Sequence, residues 1–174
     1  MESTLELDLL TPLNWRVLRA ARLYALLDSP CAFTSSYAHE STWGELEWQR
    51  VLHAATWIVA RDAENVIGLA KSAREPGRPA TRYVESAWVA PTLRRRGVLR
   101  ALLQGLVELE REAGVTDFLL WVLEGNHAAQ CAYQSLGFVP TGERQFLPAF
   151  GRFERRLQLA ISGPRDFSAK RMRC

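Results

Sequence analysis

Cysteine is scarce in this chain: Cys31, Cys131 and Cys174 are the only three, scattered so that neither a disulfide framework nor a metal-ligand spacing emerges. A long hydrophobic run is missing as well. The longest strongly apolar stretch, Phe118 to Leu123, is far shorter than the ~20 residues that cross a bilayer, so no membrane partner is expected. The opening "MESTLELDLL" is acidic and does not follow the basic-then-apolar order of a signal peptide. A cytoplasmic location is the expectation from these absences. Internal repeats and low-complexity tracts are also wanting. Excess charge is confined to one place. The formal net charge is +3, and "SGPRDFSAKRMRC" alone supplies it, with Arg165, Lys170, Arg171 and Arg173 against Asp166. A neutral body with one basic tail is not the broad electropositive footprint of a nucleic-acid-binding domain.

What is present is an ordinary globular balance, 48% hydrophobic and 24% charged over 174 residues. That length suffices for one core burying about two-thirds of the unfolded surface. "TLELDLL" (4–10) alternates like a strand. Thr11-Pro12 resembles an N-cap followed by proline at the first helical position, opening a helix that stops before Ser29-Pro30 with Val17, Leu18, Ala21 and Ala25 on one face. A polar, aromatic-dotted loop (31–42) precedes a second helix, "GELEWQRVLHAA". "TWIVARD", "NVIGLAKSARE" and "RYVESAWVA" read as strands, the last preceded by a "PGRP" loop. After them come a helix ending at Gly114, a buried strand "TDFLLWVL", a short helix "NHAAQCAYQSL" closed by Gly137, and two strands, "FVPTGE" and "RFERRLQLAI". This order predicts an α/β fold with a mixed, mostly antiparallel sheet of about seven strands and helices on both faces. One domain over 1–161 is expected, with a basic, flexible tail at 162–174.

The stretch "APTLRRRGVLRALLQGLVELEREAG" (90–114) sets three arginines and a glycine in front of an amphipathic helix. A strand, a tight turn and a helix N-terminus together present unpaired backbone amides to an anion. Gly97 would let the backbone come close to a phosphate, and Arg94, Arg95 and Arg96 could add forked donors. The same residues also fit a solvated basic turn. Nucleic acid is disfavoured, since no aromatic stacking platform or further basic stripe accompanies them.

"VAPTLRRRGVLRALL" resembles the acyl-coenzyme-A signature V-x-P-x-x-R-x-x-G-x-[GA] of the GNAT superfamily of N-acetyltransferases, with Val89, Pro91, Arg94 and Gly97 in matching positions. "NHAAQCAYQSLGF" is similar to its second signature, N-x-x-A-x-x-x-Y-x-x-x-G-F, through Asn126, Ala129, Tyr133, Gly137 and Phe138. The resemblance covers about 55–160. It implies a single GNAT-like domain in which 1–55 forms the acceptor side and 56–161 the acyl-CoA core. One departure stands out: Leu99 occupies the position where the family usually has glycine or alanine. It would crowd the diphosphate if turned toward it, and would leave the cradle intact if packed on the apolar face that Leu102 and Leu103 continue.

The resemblance further implies acetyl-CoA as acyl donor, gripped by Arg94, Arg95, Arg96, Gly97, Val98, Leu99 and Arg100. The strand around Trp88 and Val89 would pair with the pantetheine amides beside a bulge, and a backbone N–H near Val89 would meet the thioester oxygen. Tyr133 would protonate the departing thiolate; otherwise its ring packs on the helix–sheet seam. Asn126 caps its helix or binds the pantetheine arm, and Ala129 follows it in the motif. Glu85, on the Trp88 strand, is the candidate base, or else a surface carboxylate paired with Arg82 or Arg74. Glu124 and His127 stand in reserve, and His39 and Glu40 behind them. Phe33, Tyr37, Trp43 and Trp88 are candidate walls of an acceptor pocket, or core aromatics. Cys131 reads as a small buried apolar residue. No metal is implied. The loop 31–42 lacks the acidic density that attracts basic protein tails, which favours a small-molecule primary amine as acceptor. A protein lysine or N-terminal amine, or an acyl-CoA-sensing module, are the alternatives. Monomer and homodimer are both compatible with the sequence.

Overall fold

A computed structural model describes residues 5–161; the tail expected at 162–174 lies outside them. Seven strands form one sheet: β1 (Leu5–Leu10), β2 (Thr56–Asp62), β3 (Asn65–Glu75), β4 (Arg78–Val89), β5 (Asp117–Leu123), β6 (Val139–Leu147) and β7 (Arg152–Ala160). Their order is β1-β2-β3-β4-β5-β7-β6. β4 and β5 run parallel, while β1–β2, β2–β3, β5–β7 and β6–β7 pair antiparallel. The helices are α1 (Trp15–Asp28), α2 (Tyr37–Glu40), α3 (Glu45–Ala54), α4 (Val98–Glu112) and α5 (His127–Ser135). The expected α/β architecture is present, and none of the described helices is long and apolar enough to cross a membrane.

Three local differences from the sequence reading have physical causes. β4 begins at Arg78, so the "PGRP" loop shrinks to the turn before it; a proline at a strand's second residue forfeits no interior donor. β6 continues to Leu147 past a register shift between Pro140 and Arg144, since a bulge lets a ladder resume beyond a glycine. The loop 31–42 contains the single turn α2, which the Ser36 side chain caps by accepting from the His39 amide at 3.2 Å.

The chain divides into two compact units, Met1–Ala73 with Val84–Leu109, and Arg74–Tyr83 with Glu110–Cys174. In the first, strand alternation explains the layering. Trp57 and Val59 join Leu69 and Trp88 in a core closed by Leu18, Ala25 and Leu26 of α1 and by Trp48 and Leu52 of α3. Ile58, between them in β2, points the other way, toward α4 at Gly105. Val98, Leu102 and Leu106 of α4 are buried on that second face.

In the second unit, β5 is apolar almost throughout, and Phe118, Leu119 and Leu120 are all buried. The end of α4 is a Schellman closure, with Gly114 N–H donating to Arg111 at 3.0 Å and Val115 N–H to Glu110 at 3.1 Å. Glu110 is itself buried and accepts from Arg82 Nε at 2.8 Å.

Candidate functional site

Between Val89, the end of β4, and Val98, the start of α4, the chain turns through Pro91–Leu93, a 3-10 turn. Arg95 (φ +65°) and Gly97 (φ +86°) then take left-handed backbone. For an arginine this conformation costs roughly 1–2 kcal/mol, and such strain gathers at ligand clamps. Gly97 accepts from the Ala101 amide at 3.0 Å and is therefore the N-cap, which leaves the first-turn amides of α4 without intrahelical acceptors. A Cβ on Gly97 would meet nothing within 4 Å. The turn is thus an open, donor-rich cradle at the positive end of a helix, and it fits a diphosphate.

The arginines around it divide by role. Arg95 and Arg96 are exposed. Arg94 is tied back: its Nε donates to the Val89 carbonyl at 3.0 Å and its Nη2 to Asp28 Oδ2 at 2.6 Å and Ser29 Oγ at 3.2 Å. Val98 is buried and anchors the helix to the core. Leu99 and Arg100 are half-buried, with Leu99 one turn ahead of the buried Leu103.

Asp28 is the hub that holds this turn, and the sequence reading missed it. At the C-terminus of α1 an aspartate opposes the helix dipole. It is kept there because Trp88 Nε1 (2.8 Å), Ser29 Oγ (2.7 Å) and Arg94 all donate to its Oδ2. Burial pushes its carboxyl up, but those hydrogen bonds and the Arg94 charge outweigh it and hold the pKa below the ordinary 3.8. Trp88 is consequently a core residue, 4% exposed, with its ring edge-on to Tyr24.

Along β4 the alternation breaks at Ser86, whose φ of +55° marks an irregularity in the strand; beyond it, Trp88 and Val89 are both buried. Glu85 is exposed and forms a close ion pair with Lys71 rather than with Arg82 or Arg74. Arg82 is engaged by Glu110 instead.

Ser86 and Lys71 line a pocket of about 220 Å³, together with Arg22 and the three indoles of Trp43, Trp48 and Trp57. Arg22 and Glu40, at 7% and 3% exposure, form its polar wall as a two-pronged pair at 2.9 and 2.8 Å, and Arg22 Nη1 reaches Ser86 Oγ at 3.2 Å. Of the aromatics expected here, Trp43 is in the lining. Phe33 lies buried under the Arg22 guanidinium, 4.6 Å from its centre, and Tyr37 is 40% exposed on α2. Arg22 had a sequence signal: it shares the i, i+4, i+8 stripe with Leu18 and Leu26.

In the second unit, α5 explains its own motif. Asn126 is the N-cap, its Oδ1 accepting from the Ala129 amide at 3.1 Å. At the other end Gly137, at φ +98°, gives a Schellman closure in which Phe138 N–H donates to the Tyr133 carbonyl at 3.1 Å. The Tyr133 and Phe138 rings meet edge-on at 5.8 Å, the hydrophobic contact that accompanies such closures. Tyr133 keeps some solvent exposure, but the protein packed around its phenol pushes the pKa up to about 12. Cys131 is half-buried on the same helix, and His127 is exposed. Glu124 accepts from Arg144 Nε at 2.6 Å and Arg155 Nε at 2.7 Å. These bonds pull its carboxyl down to about 2, which disqualifies it as a base near neutral pH.

A left-handed turn at a helix N-terminus, carried on a mixed seven-stranded sheet, defines the class as an α/β protein with a donor-rich turn after β4. Residues 21–138 match the model of the acetyltransferase (GNAT) family, and the chain belongs to that family. Among solved structures, the IAA acetyltransferase from Bacillus cereus ATCC 14579 is 18% identical, with a TM-score of 0.64 over 91% of this chain and 100% of its own. The protein yncA from Salmonella typhimurium, determined with its cofactor acetyl-CoA, is 19% identical, with a TM-score of 0.71 over 94% and 98%. The ribosomal-protein-S18-alanine N-acetyltransferase from Escherichia coli is 18% identical, with a TM-score of 0.67 over 94% and 97%. At these identities the likeness is one of fold. No curated protein matches the chain in sequence.

Proposed function

We propose that the protein moves an acetyl group from acetyl-CoA directly to the primary amine of a small molecule. The observation that carries this reading is the open turn at Arg95–Gly97, with its left-handed backbone at the N-terminus of α4. The first-turn amides of that helix, with Arg95, Arg96 and Arg100, hold the diphosphate. Arg94 acts indirectly, fixing the turn through Asp28 and the Val89 carbonyl. The strand edge at Trp88 and Val89 pairs with the pantetheine arm, and Asn126 and Ala129 set the helix that carries Tyr133. The bound coenzyme supplies the activated thioester.

In the transfer the amine nitrogen forms a bond to the acetyl carbon, the carbon–sulfur bond breaks, and the amine gives up a proton. Only about one alkylamine in 2,500 is neutral at pH 7, so a proton acceptor matters. Glu85 takes this role, with Lys71 beside it. Tyr133 serves the sulfur. With its pKa near 12, complete proton transfer to a thiolate of reference pKa ~8.5 is uphill by roughly 5 kcal/mol. Its part is therefore a hydrogen bond to the developing thiolate, given by a phenol that stays neutral. The modest volume of the tryptophan pocket, about 220 Å³, supports a small acceptor.

The test is a free-thiol assay with acetyl-CoA across diverse amines, beside thermal stabilisation by CoA. Thiol release with a defined acceptor pattern is expected. Stabilisation by CoA without thiol release for any amine would make the protein a binding module, and absence of both would remove the acyl-CoA reading.

A further inference from the structure

Arg22 puts a charge where a charge is costly. It lies on the apolar stripe of α1 and is buried. Its pairing with Glu40 does not by itself account for it, since apolar residues of similar volume often replace a buried ion pair without loss of stability. The guanidinium has one arm more than the carboxylate uses. Nε and Nη2 donate to the two Glu40 oxygens at 2.9 and 2.8 Å, and the cation rests on the Phe33 ring, 4.6 Å from its centre. Those contacts fix the plane of the fork. The remaining arm, Nη1, then falls 3.2 Å from Ser86 Oγ, 64 residues away on β4.

Ser86 is a residue on which such a brace can act. Its φ is +55°, a conformation that a residue with a Cβ resists by a factor of roughly five to thirty. The positive φ also re-aims the peptides that follow. Trp88 and Val89 are both buried, where an unbroken two-residue period would bury one and turn the other outward. A return of Ser86 to extended backbone would rotate this end of β4. The Arg22 bond opposes that return, because it holds the Ser86 side chain in the place that the left-handed backbone gives it.

We propose that Arg22 is a positioning residue for the coenzyme: by holding Ser86 in left-handed backbone it aims the Trp88–Val89 edge of β4 at the pantetheine arm. This rests on the acetyl-CoA reading for the identity of the ligand. Arg22 does not touch the coenzyme. Its effect passes through one hydrogen bond and one backbone angle, all within a single compact unit. Glycine takes that angle freely, so a glycine at this position makes the brace dispensable.

The test compares Ser86→Ala with Ser86→Gly by calorimetric titration of CoA and of adenosine 3′-phosphate 5′-diphosphate, which carries the diphosphate without the pantetheine. Both variants lose the hydroxyl, and only alanine keeps the strain. Ser86→Ala should bind CoA roughly two- to tenfold more weakly than wild type, the range of one net hydrogen bond, and the truncated nucleotide equally well. Ser86→Gly should return CoA binding to within about twofold of wild type and should melt about 2–4 °C above Ser86→Ala. The same glycine should rescue CoA binding in Arg22→Met/Glu40→Met, where apolar volume replaces the ion pair and the brace is gone. CoA binding by Ser86→Ala equal to wild type overturns the proposal. Equal losses in the two single variants also overturn it, because the hydroxyl itself would then be the contact. Equal weakening of both nucleotides in Ser86→Ala does the same, since the effect would not belong to the pantetheine. Any of these failures in a protein that binds CoA refutes this inference alone, whereas wild-type protein that binds neither nucleotide refutes the acetyl-CoA reading and this inference with it.

Discussion

Removing the Asp28 carboxylate isolates the interaction that holds the turn between β4 and α4 in place. In Asp28→Ala the indole N–H of Trp88, a residue 4% exposed, loses its acceptor at 2.8 Å. A buried donor stranded this way costs about 1–3 kcal/mol. The Arg94 contact adds little, because that side chain is 47% exposed and such pairs contribute at most about 1 kcal/mol. A loss of roughly 2 kcal/mol is expected, or about 4–8 °C in melting temperature for a domain of this size. Arg94→Ala alone should stay within about 1 kcal/mol of wild type yet weaken CoA, because the turn is freed. Urea unfolding at pH 7 of the two single variants, Trp88→Phe and the Asp28→Ala/Trp88→Phe pair closes a double-mutant cycle. The indole–carboxylate coupling should appear as a smaller Asp28→Ala cost when Trp88 is already Phe. Asp28→Ala within about 0.5 kcal/mol of wild type, or an identical cost in both backgrounds, refutes the hub. The pH dependence has a definite sign. Because the folded carboxyl lies below 3.8, its stabilisation is complete above that value and is lost as pH falls through the lower folded pKa. Asp28→Asn should flatten that acid limb of the stability curve.

Two glycines should behave oppositely. A Cβ at Gly68 would stand 3.0 Å from the Trp88 carbonyl oxygen and from Leu102 Cδ1, so Gly68→Ala should cost about 1–3 kcal/mol by denaturant unfolding. Gly97→Ala meets no neighbour and should cost only about 1 kcal/mol for its φ of +86°, with CoA affinity, read by calorimetry, falling more than stability. Glu40→Ala strands the buried Arg22 charge and should cost about 3–5 kcal/mol, most of it recovered when Arg22→Met and Glu40→Met are combined. Tyr133→Phe retains the ring contact with Phe138, so kcat should drop by about tenfold or more with CoA binding near wild type; equal loss of both would make the tyrosine structural. Glu85→Gln should move the pH–rate profile toward alkaline pH, and an unchanged profile removes Glu85 as the base.

The elements were most legible where one physical rule dominated. β2 and β3 occupy the segments read as strands, 56–62 and 65–75, because each is a run of β-formers separated by a two-residue turn. The glycines after α4 and α5 close those helices because only they readily take the left-handed position. Both halves of the second signature became geometry: N-x-x-A is an N-cap and its bonded amide, and Y-x-x-x-G-F is a Schellman closure with its ring contact. The spacing of the second signature is thus what capping one short helix at both ends requires, independently of any catalytic part for its tyrosine.

The pocket and the hub were less legible because their chemistry depends on pairs far apart in the chain. Arg22 finds Glu40 across 18 residues, and Asp28 finds Arg94 across 66; nothing local in either residue names its partner. The bend at Ser86 also breaks the two-residue period by which Glu85, Ala87 and Val89 would share one face. Yet in both cases the sequence carried a conflict: a charge on the apolar stripe of α1, and an aspartate at the negative end of the same helix. Each is a local choice at odds with its element, tolerable only if a distant partner compensates. Here the compensating partners are Glu40 and Ser86 on one side of α1, and Trp88 and Arg94 at its end. Helix α1 therefore braces both the tryptophan pocket and the turn between β4 and α4. Weakening either end of it should loosen the corresponding wall before it unfolds the protein.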